Sequence, residues 1–408
     1  MTIVVGAGLA GLAAAIELLK AGKRVTLIEK RPFAGGKTYS FTDPQTGVTL
    51  DNGQHVFMRC CTEYVSFLRE IGAEDRARVQ PALRVPVVGE GGRASAIYVS
   101  RLPGPLALGP AFARYAHLSL TERARAGALL LGIKRMSAAQ RATLDGISFE
   151  DFLRGHGQSA RSIENFWDLV TIPTLNLPAR EASAAVALFV YKRGLLSGAH
   201  DADLGLPARG LTELHVAPAL RRIEALGGTV RLRTAAKQVL VEDGEAMGVL
   251  TEDGEGLEGD VILAVPHTEV TGLLPREWAA RPPFEGLNRL CVSPIVNLHL
   301  WYDRRVMEGE FTAFLHSPVQ WVFNRSLLWD DDEEGQHLGI SLSAATREVT
   351  MSREELLEEF VPELERLLPR AQGATIRRAV VIKEPEATFA ARPGTAALRP
   401  GPVTPLRG

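Results

Sequence analysis

Three glycines stand in a Gly6-x-Gly8-x-x-Gly11 spacing directly behind the β-branched run Ile3-Val4-Val5. A loop of this kind does its chemistry through the backbone. Gly6 permits the tight turn, Gly8 lets a pyrophosphate reach the main chain, and Gly11 lets the following helix pack closely on the strand. The free N–H groups and the dipole of the helix start then face the phosphates. Glu29 lies 18 residues beyond Gly11, at the end of a second apolar run, where a carboxylate accepts ribose hydroxyls. Together these residues read as a dinucleotide site. A second glycine pair, Gly35-Gly36, brings another loop to the same pyrophosphate, and Lys37 beside it neutralises phosphate charge. A third polar cluster, Asp51-Asn52-Gly53-Gln54-His55-Val56-Phe57, has two readings. Either its glycine approaches a cofactor ring, or it is a turn carrying a solvated histidine.

The elements that must position these groups follow from patterning. A strand at Ile3–Val5 and a helix closed at Gly22 precede a strand from Arg24 to Ile28. Tyr39–Leu50 predicts a strand–turn–strand, and Thr62–Ile71 a helix with Thr62 as N-cap and Gly72 as stop. Val85–Val99 predicts a strand pair. Helices follow to about Arg141. Ser148-x-x-Asp151 caps a further helix, Thr171–Leu177 with Pro173 breaks one, and Glu181–Leu196 forms another. Such helices either fill a core or line a tunnel for an apolar substrate, and spacing alone says core. From Leu206 the nucleotide-binding pattern returns: a helix at Leu211–Leu226, a strand at Val230–Leu232, hairpin strands to Thr251 and a buried parallel strand at Asp260–Val265. Strands at Pro294–Trp301, Phe311–Phe323 and Gly339–Ala344 belong to a second sheet. Ser352-x-x-Glu355 caps a helix to Leu368, Ile376–Lys383 is a strand, and the tail from Glu386 is extended.

Length and composition bound the rest. At 408 residues, 46% hydrophobic and 23% charged, the chain fits two or three domains with an ordinary core. A net charge of −2 gives no reason to expect nucleic acid. Nine scattered histidines without an HExxH or ligand pairing predict no metal, and no GxSxG elbow is present. Cys60, Cys61 and Cys291 form no disulfide framework and read as buried or half-buried thiols in a reducing compartment. No signal peptide precedes the first strand and no run approaches a membrane span, so the expectation is a cytoplasmic protein, soluble or peripheral on the inner face of a bacterial membrane. Residues 101–141 carry seven Arg/Lys against Glu122 alone, about +6, interleaved with Phe112, Tyr115, Leu118, Leu129–Leu131 and Ile133. That segment is either a surface resting on anionic lipid or a set of helices with solvated cationic faces.

The combined pattern resembles the flavin-dependent phytoene desaturase-like proteins of the amine oxidase superfamily, across essentially the whole chain. The matching stretches are VVGAGLAGLAAA at 4–15, Glu29-Lys30-Arg31, Gly35-Gly36-Lys37, Pro207-Ala-Arg-Gly-Leu211, Val230 with Val239, and DVILAVP at 260–266. The stretch DNGQHVFMRCCTEY at 51–64 is similar to the squalene-associated branch, the hydroxysqualene dehydroxylases. The resemblance implies an α/β fold: a Rossmann-like FAD-binding domain with an inserted α+β substrate domain. FAD-binding segments would fall at 1–78, 207–270 and, beginning a third, 391–408, with substrate-domain segments at 79–206 and 271–390. It implies FAD as cofactor. Gly6, Ala7, Gly8 and Gly11 would hold the pyrophosphate, Glu29 the ribose with Lys30 and Arg31 beside it, and Gly36 and Lys37 the phosphate loop. Val239 would pair its backbone with adenine, and Gly53, Gln54, His55 and Val56 would flank the flavin ring.

The implied chemistry is hydride exchange between an apolar isoprenoid and the flavin, here reductive dehydroxylation of hydroxysqualene to squalene. His55 or Asp51 would assist departure of the hydroxyl. A carotenoid desaturase is the nearest alternative. An amine oxidase counts for less because of the DNGQH stretch. The resemblance also implies a further strand, a glycine–acid turn and a helix after Gly408. A chain without them is expected to have an incomplete flavin pocket, and a non-catalytic flavoprotein remnant that binds adenine nucleotide, or nothing, is then a fourth reading.

Overall fold

The computed structural model describes all of the 408 residues except 45–46, 101–107, 199, 330–333 and 402. Part of the basic 101–141 segment and the middle of the strand–turn–strand expected at Tyr39–Leu50 therefore lie outside the described residues.

Four parallel strands form the nucleotide-side sheet, in the order Thr229–Leu232, Val25–Glu29, Thr2–Val5, Asp260–Leu263. Every residue of the two central strands is buried, which is why their sequences are near-continuous apolar runs. Helix Leu9–Lys20 buries Leu12, Ala15, Ile16 and Leu19 against Val4 and Leu27, beside Ala219 and Ile223 of helix Ala217–Ala225. On the opposite face Ile3, Val5 and Ile28 meet Val249 and Leu257 of an antiparallel sheet built from Ala236–Glu242, Glu245–Thr251 and Gly256–Glu258. At the end of the chain, the Ala246 N–H donates to Arg407 O at 2.7 Å and the Val261 N–H to Gly408 O at 2.9 Å.

The second sheet has seven strands, in the order Ile376–Phe389, Val292–Tyr302, Gln336–Ser343, Trp321–Asn324, Phe311–Phe314, Arg84–Val88, Ala94–Tyr98. Strand Val292–Tyr302 divides its side chains by the two-residue period. Val296, Leu298 and Leu300 pack on Leu356, Phe360 and Leu364 of helix Arg353–Leu367, which starts with the expected capping box at Ser352 and Glu355. The alternate residues, among them Asn297 and His299, belong to the other face. There the edge of the sheet (Val85, Ile97, Phe311) meets a helical layer carrying Phe149, Phe166, Trp167 and Tyr191.

Several elements depart from the sequence expectation. The helix expected to break at Thr171 instead runs over Asp168–Leu175 with Pro173 inside it. Thr171 and Thr174 donate to the carbonyls of Trp167 and Val170, and Asn176, at φ 54, closes the helix. The Asn176 amide donates to the carbonyls of Ser293 and Pro294, so tertiary anchoring outweighs the proline. The last strand extends past Lys383 to Phe389, on a sheet edge where the missing N–H of Pro385 is tolerated. Cys61, not Thr62, is the N-cap of helix Thr62–Glu70. In the basic segment, Tyr115, Leu118, Leu129, Leu130 and Ile133 are buried in the helical core, and Arg123 and Arg141 donate to backbone carbonyls nearby. Leu120 and Leu131 remain exposed.

Burial holds several histidines neutral. It pushes the imidazoles of His215 and His299 down to about 3, and that of His337 well below its usual value. His299 Nδ1 and His337 Nε2 share a hydrogen bond of 2.9 Å. Between the ordinary histidine value of 6.5 and about 3, the unfolded chain binds protons that these folded rings refuse. Stability is therefore full above that upper value and falls as pH falls. Going from about pH 7 to about pH 5 should cost about 2 kcal/mol for each of His215 and His299. Urea unfolding midpoints should show this, and His299→Gln should flatten the slope by its share.

Candidate functional site

The two glycine loops meet backbone to backbone. A Cβ on Gly36, which sits at φ +59, would lie 2.8 Å from the Cα of Gly8, and one on Gly11 would lie 1.9 Å from the Gly6 carbonyl oxygen. The Gly35 N–H donates to Ala7 O at 2.7 Å. Helix Leu9–Lys20 begins at Gly8 with no side-chain cap and no acidic residue in its first turn, so its first amides are open to an anion. Glu29 is buried beside this cradle. Its Oε2 accepts the Ala7 N–H at 2.9 Å and its Oε1 the Arg31 N–H at 3.0 Å, which leaves each oxygen a further lone pair.

The remaining nucleotide-side residues are placed as follows. Arg31 braces the second loop, donating to Gly36 O at 2.7 Å and lying over the rings of Phe33 and Tyr39. Lys30 is exposed and 3.2 Å from the Glu269 carboxylate. Val239 lies on strand Ala236–Glu242, at the edge of its sheet, and that strand sets out from beside Glu29 because the Thr234 N–H donates to Glu29 O at 2.9 Å. Lys37 lines a cavity, its ammonium 3.8 Å from Glu384.

The DNGQH stretch is fastened by a buried ion pair that the sequence reading missed. Asp51 Oδ2 accepts from Arg325 Nη2 at 2.8 Å. Asp51 Oδ1 accepts from Ser40 Oγ and the Leu211 N–H, each at 2.8 Å. Arg325 Nη1 donates to Gln54 Oε1 at 2.9 Å, and the guanidinium lies 3.9 Å from the Trp329 ring centroid. Asp51 is 0% exposed and does not line the cavity, so it does not reach a substrate hydroxyl and serves as an anchor. His55 does line the cavity. Its Nδ1 is 3.1 Å from Gly53 O, a pure acceptor, and the Lys37 carbonyl also lies against the ring. Burial, then the charge of Arg325, lowers its pKa, so a neutral ring cannot act as the acid of the expected departure step.

The cavity has a volume of about 830 Å³. It runs from Lys37, Gly53, His55 and Val56 between helices Asp168–Leu175 and Ala184–Val190 and the Asn297 face of the seven-stranded sheet. Leu169, Val170, Pro173, Phe189, Trp321 and Phe323 make its walls apolar. The helices thus line a cavity as well as a core. Polar groups enter at Asn297, Ser341, Ser343 and Thr388, and at the Lys37–Glu384 pair. Tyr64, whose phenol burial pushes upward, shares a hydrogen bond of 2.5 Å with neutral His215 Nε2. Cys60 and Cys61 also line the cavity, and Cys61 is exposed, not buried. A hydrogen bond from Cys60 lowers the Cys61 thiol to about 6. Of the residues missed, Asn297 had a legible signal: a polar residue inside the apolar strand VSPIVNLHLWY.

The family profile of flavin-containing amine oxidoreductases matches residues 9–408. The chain belongs to the flavin-containing amine oxidoreductase family. Among curated relatives, zeta-carotene desaturase of Zea mays is 27% identical over 453 residues, covering 99% of this chain and 77% of the relative. The 15-cis-phytoene desaturase of Synechococcus elongatus is 25% identical, covering 99% and 88%. Solved structures share the fold. An oxidoreductase from Methanosarcina mazei superposes with a TM-score of 0.73 at 18% identity, covering 99% of this chain and 92% of that one. A putrescine oxidase variant gives 0.75 at 21% identity, covering 97% and 88%.

This flavin-containing oxidoreductase is an enzyme with FAD as its cofactor. The residues present fit that group: a glycine cradle with open helix amides, a buried carboxylate beside it, and a cavity adjoining Gly53. The glycine contact is testable. Gly36→Ala should weaken FAD binding at least about tenfold, because left-handed strain and a contact with Gly8 both force the loops apart. Gly22→Ala carries similar strain at φ +77 with nothing within 4 Å, and should keep its flavin. Absorbance of retained flavin after gel filtration, with FAD titration, reads the difference.

Proposed function

We propose that this flavin enzyme reductively removes the hydroxyl of a squalene-type allylic alcohol, converting hydroxysqualene to squalene. The observation that carries the reading is the cavity: apolar along its helical walls, with hydrogen-bonding groups gathered where it meets Gly53 and His55. When bound, reduced FAD would supply a hydride to the allylic carbon and a proton to the departing hydroxide, giving the hydrocarbon, oxidised FAD and water. The chain's own residues bind and orient. Gly6, Ala7, Gly8, Gly11 and Gly36 hold the pyrophosphate, and Glu29 the ribose, with Lys30 and Arg31 beside it. The Val239 backbone meets adenine, and Gly53, Gln54, His55 and Val56 flank the ring. Lys37 pairs with Glu384 at the polar end of the cavity. His55, neutral, keeps its loop in place through Gly53 O rather than delivering a proton. The apolar walls exclude water from the reacting carbon.

The substrate would arrive from lipid, and the basic segment 101–141 is the place we assign to peripheral contact with an anionic membrane face. Exposed Leu120 and Leu131, with Lys134 and Arg135 close by, support that assignment. Among the described residues no helix is long and apolar enough to cross a membrane.

A second reading, carotenoid desaturation, is favoured by the relatives, several of which are phytoene or zeta-carotene desaturases. It would use the same cavity with hydride moving the other way. Product analysis separates the two. FAD-reconstituted protein with a reductant should turn hydroxysqualene into squalene and leave phytoene unchanged when given an electron acceptor. Desaturated phytoene without any squalene would establish the second reading instead.

A further inference from the structure

Asn297 is 2% exposed and lines the cavity, and among the described residues its Nδ2 has no hydrogen-bond partner. Its orientation is set by the Gln54 N–H, which donates to Asn297 Oδ1 at 3.4 Å. Reversing the amide would set donor against donor, so the NH2 group is directed towards Gly53, close enough that a Cβ added to that glycine would lie 3.2 Å from Nδ2. A buried donor left unmade is costly, and natural proteins retain one chiefly where a ligand or water completes it.

The surroundings say what kind of ligand. Asn297 pairs in register with Ser341, which pairs in turn with Trp321, and Ile295 pairs with Ser343. Opposed residues share a face, so Asn297 and the two serines form a polar island in an otherwise apolar wall. A hydroxyl both accepts and donates. Its oxygen would take the Asn297 N–H, and its proton would go to a serine oxygen. A hydrocarbon supplies neither group and would leave the donor unmet.

Resting on the functional reading above, we propose that the Asn297 carboxamide is the hydroxyl-binding donor of this cavity and sets its preference for an isoprenoid alcohol over the matching hydrocarbon. The contact is a hydrogen bond, and no covalent bond changes in it.

The test is binding to the FAD-loaded protein, read from perturbation of the flavin spectrum, with hydroxysqualene and squalene as the paired probes. Wild type should bind the alcohol at least about tenfold more tightly than the hydrocarbon. Asn297→Leu should reduce that ratio to near one while squalene affinity and flavin content hold. Asn297→Asp keeps the acceptor for the Gln54 N–H, and so guards against misfolding, but removes the donor; it should lose the preference too. Equal binding of the two probes by wild type, or full discrimination in both variants, would overturn the proposal. So would loss of flavin from both variants, which would assign the amide to the cofactor. Intact alcohol preference in wild type, abolished in the variants, with no squalene formed would sink the dehydroxylase reading and leave the hydroxyl-binding site standing.

Discussion

The buried ion pair between Asp51 and Arg325 holds the two halves of the site in register. Both side chains are 1% exposed. Removing one partner of such a pair leaves an uncompensated buried charge, a loss of roughly 3–5 kcal/mol. The pair itself is not a large source of stability, because desolvation offsets most of the attraction. Its value is geometric. Asp51 draws in Ser40, the Leu211 amide and Arg325, and Arg325 draws in Gln54 and lies against Trp329. The nucleotide-side loop that carries Gly53 and His55 is thereby fixed against the sheet that carries Asn297.

That sheet supplies the second constraint. The two-residue period of strand Val292–Tyr302 puts Val296, Leu298 and Leu300 into one core and turns Asn297 to the opposite face. A one-residue slip would drive the polar set into the apolar core and turn the apolar set towards the cavity. The site is therefore assembled from a rigid strand and an anchored loop, with the helices Asp168–Leu175 and Ala184–Val190 closing the cavity over both.

How much of this was legible depended on whether a constraint is local. Gly6, Gly8, Gly11 and Glu29 could be read because backbone approach to a phosphate demands a fixed spacing. The Gly35-Gly36 loop could be read for the same reason, and the structure puts Gly36 against Gly8. The role of Asp51 could not, because the guanidinium that claims it stands 274 residues away. Nor could the approach of Lys37 to Glu384, which is a matter of tertiary distance. Pro173 misled because the breaker rule is local, while the anchoring of Asn176 to Ser293 and Pro294 is not. Interleaved apolar and basic residues left a lipid-facing surface and solvated cationic helix faces both open, because spacing does not say that Tyr115, Leu118, Leu129, Leu130 and Ile133 turn into the core while Leu120 and Leu131 stay exposed.

The central claim is that electrons leave the flavin for an isoprenoid alcohol seated in this cavity. Anaerobic single turnover tests it most directly. With the bound FAD reduced beforehand and no other acceptor present, hydroxysqualene should restore the absorbance of oxidised flavin, one squalene appearing for each flavin oxidised. Reduced flavin that persists in the presence of hydroxysqualene, together with oxidised flavin that is bleached by phytoene, would contradict it.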